Sequence, residues 1–217
     1  MIRAAFASAE VAVGVAVCWM ILGTVSLFES ERVRFVNRLV FPAGAAAAFV
    51  LAAVGLYSVG ATPQTLELPL GLPDLPFHLR LDALAAFFLL LLGVGAFGIC
   101  IYAAGYFRGE TPTRLRLLSL QYHMFLASMA FVILADDAYL FMVAWESMAV
   151  SSYFLVTTDH RQPAIRSAGF LYLLIAHVGA ISILLCFGIL HGGGAMAEYG
   201  FDSLRALGAT GPRQWQR

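Results

Sequence analysis

One glutamate and two tyrosines occur at intervals of seven residues within a long apolar stretch of the sequence. Glu146 lies in YLFMVAWESMAVSSYFLV, residues 139–156, and Tyr139 and Tyr153 lie seven residues before and after it. Residues seven apart share a face of an α-helix, so two hydroxyls would flank one carboxyl along a single stripe. This row of groups favours proton transfer. The simpler interpretation is a neutral glutamic acid hydrogen-bonded to a neighbouring helix.

Two histidines in apolar surroundings are secondary candidates for the same path. His123 lies in SLQYHMFLAS and His177 in LLIAHVGAIS. An imidazole titrates near neutral pH and can relay a proton, and a pair of imidazoles can also ligate a haem iron. A lone histidine is more often a hydrogen-bonded packing residue. We predict no metal or cofactor, because no paired-cysteine or phosphate-loop motif is present.

Composition indicates that these residues lie in a membrane. The chain is 61% hydrophobic and 12% charged, and its mean hydropathy is +0.84. The formal net charge is zero, which does not suggest a nucleic-acid partner. All thirteen basic residues are arginine, so no lysine is available to titrate within this chain.

Six apolar stretches are long enough to cross a bilayer, which requires about 20 residues each. We therefore predict an all-α integral membrane protein, a bundle of about six transmembrane helices. The predicted domain covers 1–190, followed by a polar, glycine-rich tail over 191–217. The predicted spans are about 9–28, 39–60, 82–104, 117–135, 138–157 and 167–190.

The connections between these stretches contain recognisable turn and capping residues. Residues 62–81 alternate apolar and polar types between prolines, which predicts a small hairpin. Asp82 is the predicted N-cap of the third helix. Asp136 and Asp137 form a tight turn before the fifth helix, where their charge favours the positive end of that helix.

The position of Glu146 would make its carboxylate costly. It lies about 12 and 17 Å along the helix axis from the two ends of its stretch. A charged side chain at the centre of a bilayer costs about 2.5–3.5 kcal/mol on insertion scales. Burial of a carboxylate generally raises its pKa, so such a group can take up and release protons near neutral pH.

Arginine distribution predicts the orientation of the helices. The connections after the first, third and fifth helices hold eight arginines, and the remaining segments hold five. Arginine-rich loops face the cytoplasm. We therefore predict a multi-pass protein of the inner (plasma) membrane with both termini on the outer face. The eight are Arg32, Arg34, Arg38, Arg108, Arg114, Arg116, Arg161 and Arg166.

Two segments resemble a known family. The segments are LFMVAWESMAVSSYFLVTTDHRQPAIRSAGFLYLLIAHVGA and LRLDALAAFFLLLLGVGAFGICIYAAGYF. They are similar to the antiporter-like, proton-conducting subunits of respiratory complex I and the membrane-bound hydrogenases, with the hydrogenase-4 component B and formate hydrogenlyase branch most similar. The resemblance extends over residues 10–200 and implies the N-terminal part of the antiporter-like fold.

The resemblance implies that Glu146 matches the fifth-helix glutamate of the family, which takes part in proton translocation and pairs with a lysine on a broken seventh helix. That lysine is absent here, so the chain is expected to correspond to part of a longer subunit or to a split subunit. The implied function is a proton-translocating component of an NADH-quinone oxidoreductase or hydrogenase complex, embedded in lipid beside other membrane subunits and not catalytic by itself. Two alternatives stay open: a truncated, non-conducting membrane scaffold, and a small b-haem cytochrome using His123 and His177.

Overall fold

The computed structural model describes residues 2–28, 33–72, 75–190, 200–202 and 205. Six long helices are present in this part of the chain, and each is long and apolar enough to cross a membrane. They are α1 (Ile2–Phe28), α2 (Phe41–Ser58), α3 (Ala83–Tyr106), α4 (Pro112–Leu134), α5 (Ala138–Val156) and α6 (Pro163–Leu190). The predicted all-α bundle of six spans is confirmed. The predicted tail lies mostly outside the described residues.

Several helices begin earlier or end earlier than their apolar stretches. The fourth was predicted from residue 117, whereas α4 begins at Pro112 and includes two arginines in its first turns. Proline fits the first turn of a helix because its missing N–H has no helical partner there. A π-helical turn, Val36–Val40, precedes α2. Polar ends therefore extend some helices beyond the stretches that hydropathy alone marks.

The core is formed by α1–α4 and by a β-hairpin, with α5 added at one side. α1 packs on α2 and α4, α2 on α3, α4 on α5, and α5 on α6. Trp19 of α1 is fully buried, and its indole N–H donates to the carbonyl oxygen of Gly44 on α2 at 3.2 Å. α6 buries little of its surface within the described chain, since its large apolar side chains are mainly exposed.

The predicted hairpin is confirmed as two antiparallel strands, β1 (Gln64–Leu72) and β2 (Leu75–Leu81). The register shifts between Leu68 and Gly71, where Pro69 cannot donate to the ladder. Gly71 has φ 118°, a conformation that favours glycine. Leu79 and Leu81 are buried in the core, so one face of the hairpin closes the end of the bundle.

The predicted N-cap of α3 is confirmed, and Asp137, predicted only as a turn residue, caps α5. Asp82 accepts a hydrogen bond from the main-chain N–H of Ala85 at 2.9 Å, and Asp137 accepts one from that of Leu140 at 2.6 Å. Asp137 is fully buried and also accepts from the main-chain N–H of His78 at 2.8 Å. The cap of α5 therefore also fastens the hairpin.

The segment after α6 returns to the same end of the bundle. The N–H of Phe201 donates to the carbonyl oxygen of Asp136 at 2.9 Å. Arg205 donates to both carboxylate oxygens of Asp136, at 2.8 and 3.0 Å, and to Asp202. The hairpin, the α4–α5 turn and this segment thus share one end, opposite the arginine-rich connections.

Candidate functional site

Glu146 lies in the middle third of α5, and His177 lies in the middle third of α6. Their side chains meet: His177 Nε2 is 3.5 Å from Glu146 Oε2. The carboxylate side chain is 38% exposed and the imidazole 46%, which places the contact on the outer side of the α5–α6 pair. Among the described residues, His177 is the one basic side chain within ion-pair distance of Glu146.

The local structure of α6 orients this imidazole. His177 Nδ1 is 2.9 Å from the carbonyl oxygen of Leu173, one turn earlier in the helix. This contact directs the opposite ring nitrogen, Nε2, toward α5. Close approach of the two helices is helped by Gly169, because a Cβ added there would collide with Thr157 Cγ2.

The pair lies within an apolar surface. Large side chains of α6 around His177 are more than half exposed, including Ile175, Val178 and Ile181. A charged group in such a surface would face lipid unless another protein segment covers it, and in lipid it is costly. The arrangement therefore suits groups that can be neutralised by proton transfer.

The sequence identified both members of the pair but did not predict their contact. The face of α6 around His177 is otherwise apolar, which gives no sign of a partner. Their positions along the helices could have predicted the contact. Each is an ionisable residue in the middle third of its helix, and the two helices are consecutive and joined by a short connection. Burial of a lone charge is costly, and pairing reduces that cost.

The two tyrosines lie on the predicted face of α5 but toward its opposite ends. The Tyr139 ring packs on Phe77 of the hairpin, with ring centroids 5.8 Å apart. Tyr153 packs beside Gly169 and Phe154 at the other end. No hydrogen bond joins either hydroxyl to Glu146 within the described chain, so these residues do not form a continuous proton wire.

Tyr153 borders a cavity of about 850 Å³ at the arginine-rich end of α4, α5 and α6. Arg166 lies in its wall and donates to the carbonyl oxygens of His160 and Arg161, at 2.9 and 3.2 Å. This arginine therefore binds the α5–α6 connection rather than Glu146. The other lining residues are Glu110, Thr111, Thr113, Arg114, Leu117, Leu118, Gln121, Phe154, Thr157, Thr158, Asp159, His160 and Arg161.

His123 is separate from this site. It is fully buried, and its Nδ1–H donates to the carbonyl oxygen of Ser119 at 2.8 Å. Within the described part of the chain its Nε2 has no hydrogen-bond partner, and it faces Gly44 so closely that a Cβ there would lie 2.7 Å away. A haem would need open space beside this nitrogen, so the packing argues against the haem alternative, which an absorption spectrum would test.

Comparisons with known proteins support the antiporter-like resemblance. Residues 135–215 match the family described as NADH:quinone oxidoreductase/Mrp antiporter, TM. The chain is 32% identical over 129 residues to hydrogenase-4 component B of Escherichia coli, covering 59% of this chain and 19% of the relative. It is 34% identical over 125 residues to NADH-quinone oxidoreductase subunit L of Mycobacterium tuberculosis, covering 55% and 19%.

The fold has a counterpart among solved structures. A chain of the membrane-bound sulfane sulfur reductase, an archaeal respiratory membrane complex, superposes with a TM-score of 0.73 at 19% identity, covering 90% of this chain and 30% of that one. The chain thus spans about a fifth of the length of the two curated relatives. The predicted resemblance to the antiporter-like subunits, over part of their length, is confirmed.

Proposed function

We propose, on the premise that this chain has the antiporter-like membrane fold, that it forms part of the proton path of a redox-driven membrane complex. Glu146 is the proton-loading group of that path. The observation that carries the proposal is the position of this carboxyl, half-way along α5 and 3.5 Å from a titratable imidazole on the next helix. A carboxyl in such surroundings can hold a proton in one state and release it in another.

The physical cost of the arrangement supports a functional role. A carboxylate near the centre of a bilayer is disfavoured by about 2.5–3.5 kcal/mol on insertion scales. A glutamine, or an apolar residue like those around it, would avoid that cost. Intramembrane ionisable residues are therefore candidates for ion or proton pathways by default.

A route to Glu146 from the arginine-rich end would begin at the cavity beside Tyr153. Tyr153 lies about 10 Å along the axis of α5 from Glu146, so water molecules must bridge the gap. Tyr139 would lie on the opposite segment of the route, toward the hairpin. His123 is a weaker candidate, because the helices around it leave its free nitrogen little space.

The proposed partners are other membrane subunits of a respiratory or hydrogenase-type complex in the inner (plasma) membrane. The names of the two curated relatives point to such complexes. The largely exposed, apolar surface of α6 and the ionisable pair within it also favour a protein neighbour on this side. In this role the chain contributes ion movement, and the oxidation and reduction steps belong to other subunits.

The experiment measures proton translocation by the assembled complex in membrane vesicles. Glu146→Gln keeps the shape of the side chain but cannot titrate, so it should lower translocation at least about a hundredfold, the low end for loss of a proton-transfer group. Glu146→Asp should retain part of the activity. Ser147→Ala is the matched control, since that hydroxyl donates only to Val143 of its own helix among described contacts.

Assembly of the complex should be equal in all three variants, as judged by its recovery from detergent. Normal translocation by Glu146→Gln would contradict the proton-loading role. The non-conducting scaffold would then be the better interpretation.

A further inference from the structure

The hydrogen bond of His177 to its own helix determines where the imidazole carries its proton. A carbonyl oxygen can only accept, so the 2.9 Å contact with Leu173 requires the proton on Nδ1. In the neutral ring Nε2 then bears a lone pair. This is the nitrogen that faces Glu146 Oε2 at 3.5 Å.

A lone pair facing an ionised carboxylate would be repulsive, since neither atom has a hydrogen to share. One additional proton removes the conflict in two ways. It can stay on Oε2, so that the carboxylic acid donates to Nε2. It can also move to Nε2, which gives an imidazolium beside a carboxylate. The O–H bond breaks as the N–H bond forms, and no other bond changes.

We propose that Glu146 and His177 act as one unit that holds a shared proton, with His177 as the group that accepts the proton from the Glu146 carboxyl and returns it. The inference rests on the proposed function and deepens it. His177 provides a titratable cation beside Glu146, which an arginine could not provide, because guanidinium does not deprotonate in proteins.

No other titratable group competes for this proton in the described contacts. Helices α4 and α6 and strand β2 pack against α5. Among the described residues, none of the following titratable and charged side chains on these elements and on α5 forms an ion pair with Glu146 or His177. They are His78, Arg80, Arg114, Tyr122, His123, Tyr139, Tyr153, Arg166, Tyr172 and Cys186. Arg116 of α4 donates to the carbonyl oxygens of Pro112 and Leu27.

Infrared difference spectroscopy of the intact complex in native membranes tests the shared proton directly. A protonated carboxyl gives a C=O stretching band whose position depends on its hydrogen bond. Glu146→Gln should abolish one such band. His177→Phe should shift that same band to higher frequency, because the acid loses its acceptor. Tyr172→Phe, on the same helix and outside the pair, should leave the band in place.

Proton translocation gives the second readout. His177→Gln should lower translocation at least about a hundredfold, as expected for loss of a proton-transfer group. The double variant Glu146→Gln/His177→Gln should be no worse than Glu146→Gln alone, because residues that act as one unit are not additive. The exchanged pair Glu146→His/His177→Glu should recover part of the activity that either single change removes.

The outcomes separate this inference from the proposed function. If Glu146→Gln blocks translocation while the His177 variants leave both the infrared band and the translocation activity unchanged, the inference of a shared proton is wrong. The proposed role of Glu146 as the proton-loading group would then still hold. If Glu146→Gln itself leaves translocation unchanged, the proposed function fails. A band shift together with non-additive losses supports the pair.

Discussion

The buried carboxylate of Asp137 accepts a hydrogen bond from the main-chain N–H of His78 at 2.8 Å, which ties the hairpin to the start of α5. The other oxygen of the same carboxylate caps α5 through Leu140. One side chain thus positions the helix that carries Glu146 and the strand that closes the bundle. Because the carboxylate is fully buried, water cannot replace either bond without local opening.

Asp137→Ala should therefore destabilise the fold more than loss of an ordinary cap. We expect about 2.5–4 kcal/mol, from a helix cap of about 1 kcal/mol and a hydrogen bond to a charged group of about 1.5–3 kcal/mol. Chemical or thermal unfolding in detergent measures the change. Asp82→Ala, which removes a cap at the start of α3, is the matched comparison and should cost about 1 kcal/mol. Equal effects of the two changes would contradict the double role of Asp137.

Gly93→Ala should force α2 and α3 apart. A Cβ at this position would lie 2.5 Å from the main-chain nitrogen of Ala52 and 2.7 Å from the carbonyl oxygen of Ala48. Backbone atoms of a packed helix cannot move aside cheaply, so we expect a loss of about 1–3 kcal/mol in the free energy of unfolding. Unfolding of the purified chain in detergent provides the measurement.

Gly95→Ala on the same helix is the control for that change. A Cβ there meets no atom within 4 Å, and alanine favours a helix over glycine by about 0.5–1 kcal/mol. The two changes should therefore differ in sign. A loss of stability for Gly95→Ala similar to that for Gly93→Ala would show that packing on α2 does not account for the effect of Gly93→Ala.

The carboxyls around Arg205 should give stability a pH dependence. The hydrogen bond from Arg205 lowers the pKa of Asp202 below its ordinary value of 3.8, against a smaller effect of burial. A carboxyl whose pKa is lowered by folding stabilises the fold at pH values above its pKa in the unfolded chain. This stabilisation is lost as pH falls through the pKa of the folded state. Asp202→Asn should thus cost up to about 1 kcal/mol at pH 7, since the pair is largely exposed, and nothing under strongly acidic conditions. Melting temperatures across acidic pH measure the difference.

Asp136 should show the opposite slope. Burial raises the pKa of this carboxyl above 3.8, although the hydrogen bond and charge of Arg205 oppose the shift. A raised pKa favours the protonated form in the fold, so this group's contribution declines as pH rises from 3.8 through the folded pKa. Asp136→Asn should remove that decline. If Asp136→Asn and Asp202→Asn changed the pH dependence of stability in the same direction, our explanation would be wrong. That explanation is that burial controls the pKa of Asp136 and that pairing with Arg205 controls the pKa of Asp202.

The predicted orientation can be tested by labelling single cysteines in intact cells. The three native cysteines, Cys18, Cys100 and Cys186, are first replaced by alanine. A cysteine at Leu70, which is 61% exposed on the hairpin, should react with a membrane-impermeant maleimide. A cysteine at Gln162, in the arginine-rich connection before α6, should react only after the membrane is opened. The reverse pattern would invert the orientation.

Much of the architecture was predictable because it depends on local sequence. Apolar length predicted six helices, alternation between prolines predicted the hairpin, and the aspartate before α3 predicted its cap. Each of these signals requires only neighbouring residues and the period of a helix or strand. The family motif around Glu146 was likewise a local pattern within one helix.

Only the tertiary structure decided which ionisable groups meet. The sequence named Glu146, His177, His123, Tyr139 and Tyr153 as a set, and the packing pairs the first two, buries the third and leaves the tyrosines at opposite ends of α5. Hydropathy and periodicity define the face of a helix, but the neighbour of that face depends on how whole helices pack. A contact of 3.5 Å between α5 and α6 is the product of that packing, since it depends on helix rotation, on the small residue Gly169 and on the bond that turns the imidazole.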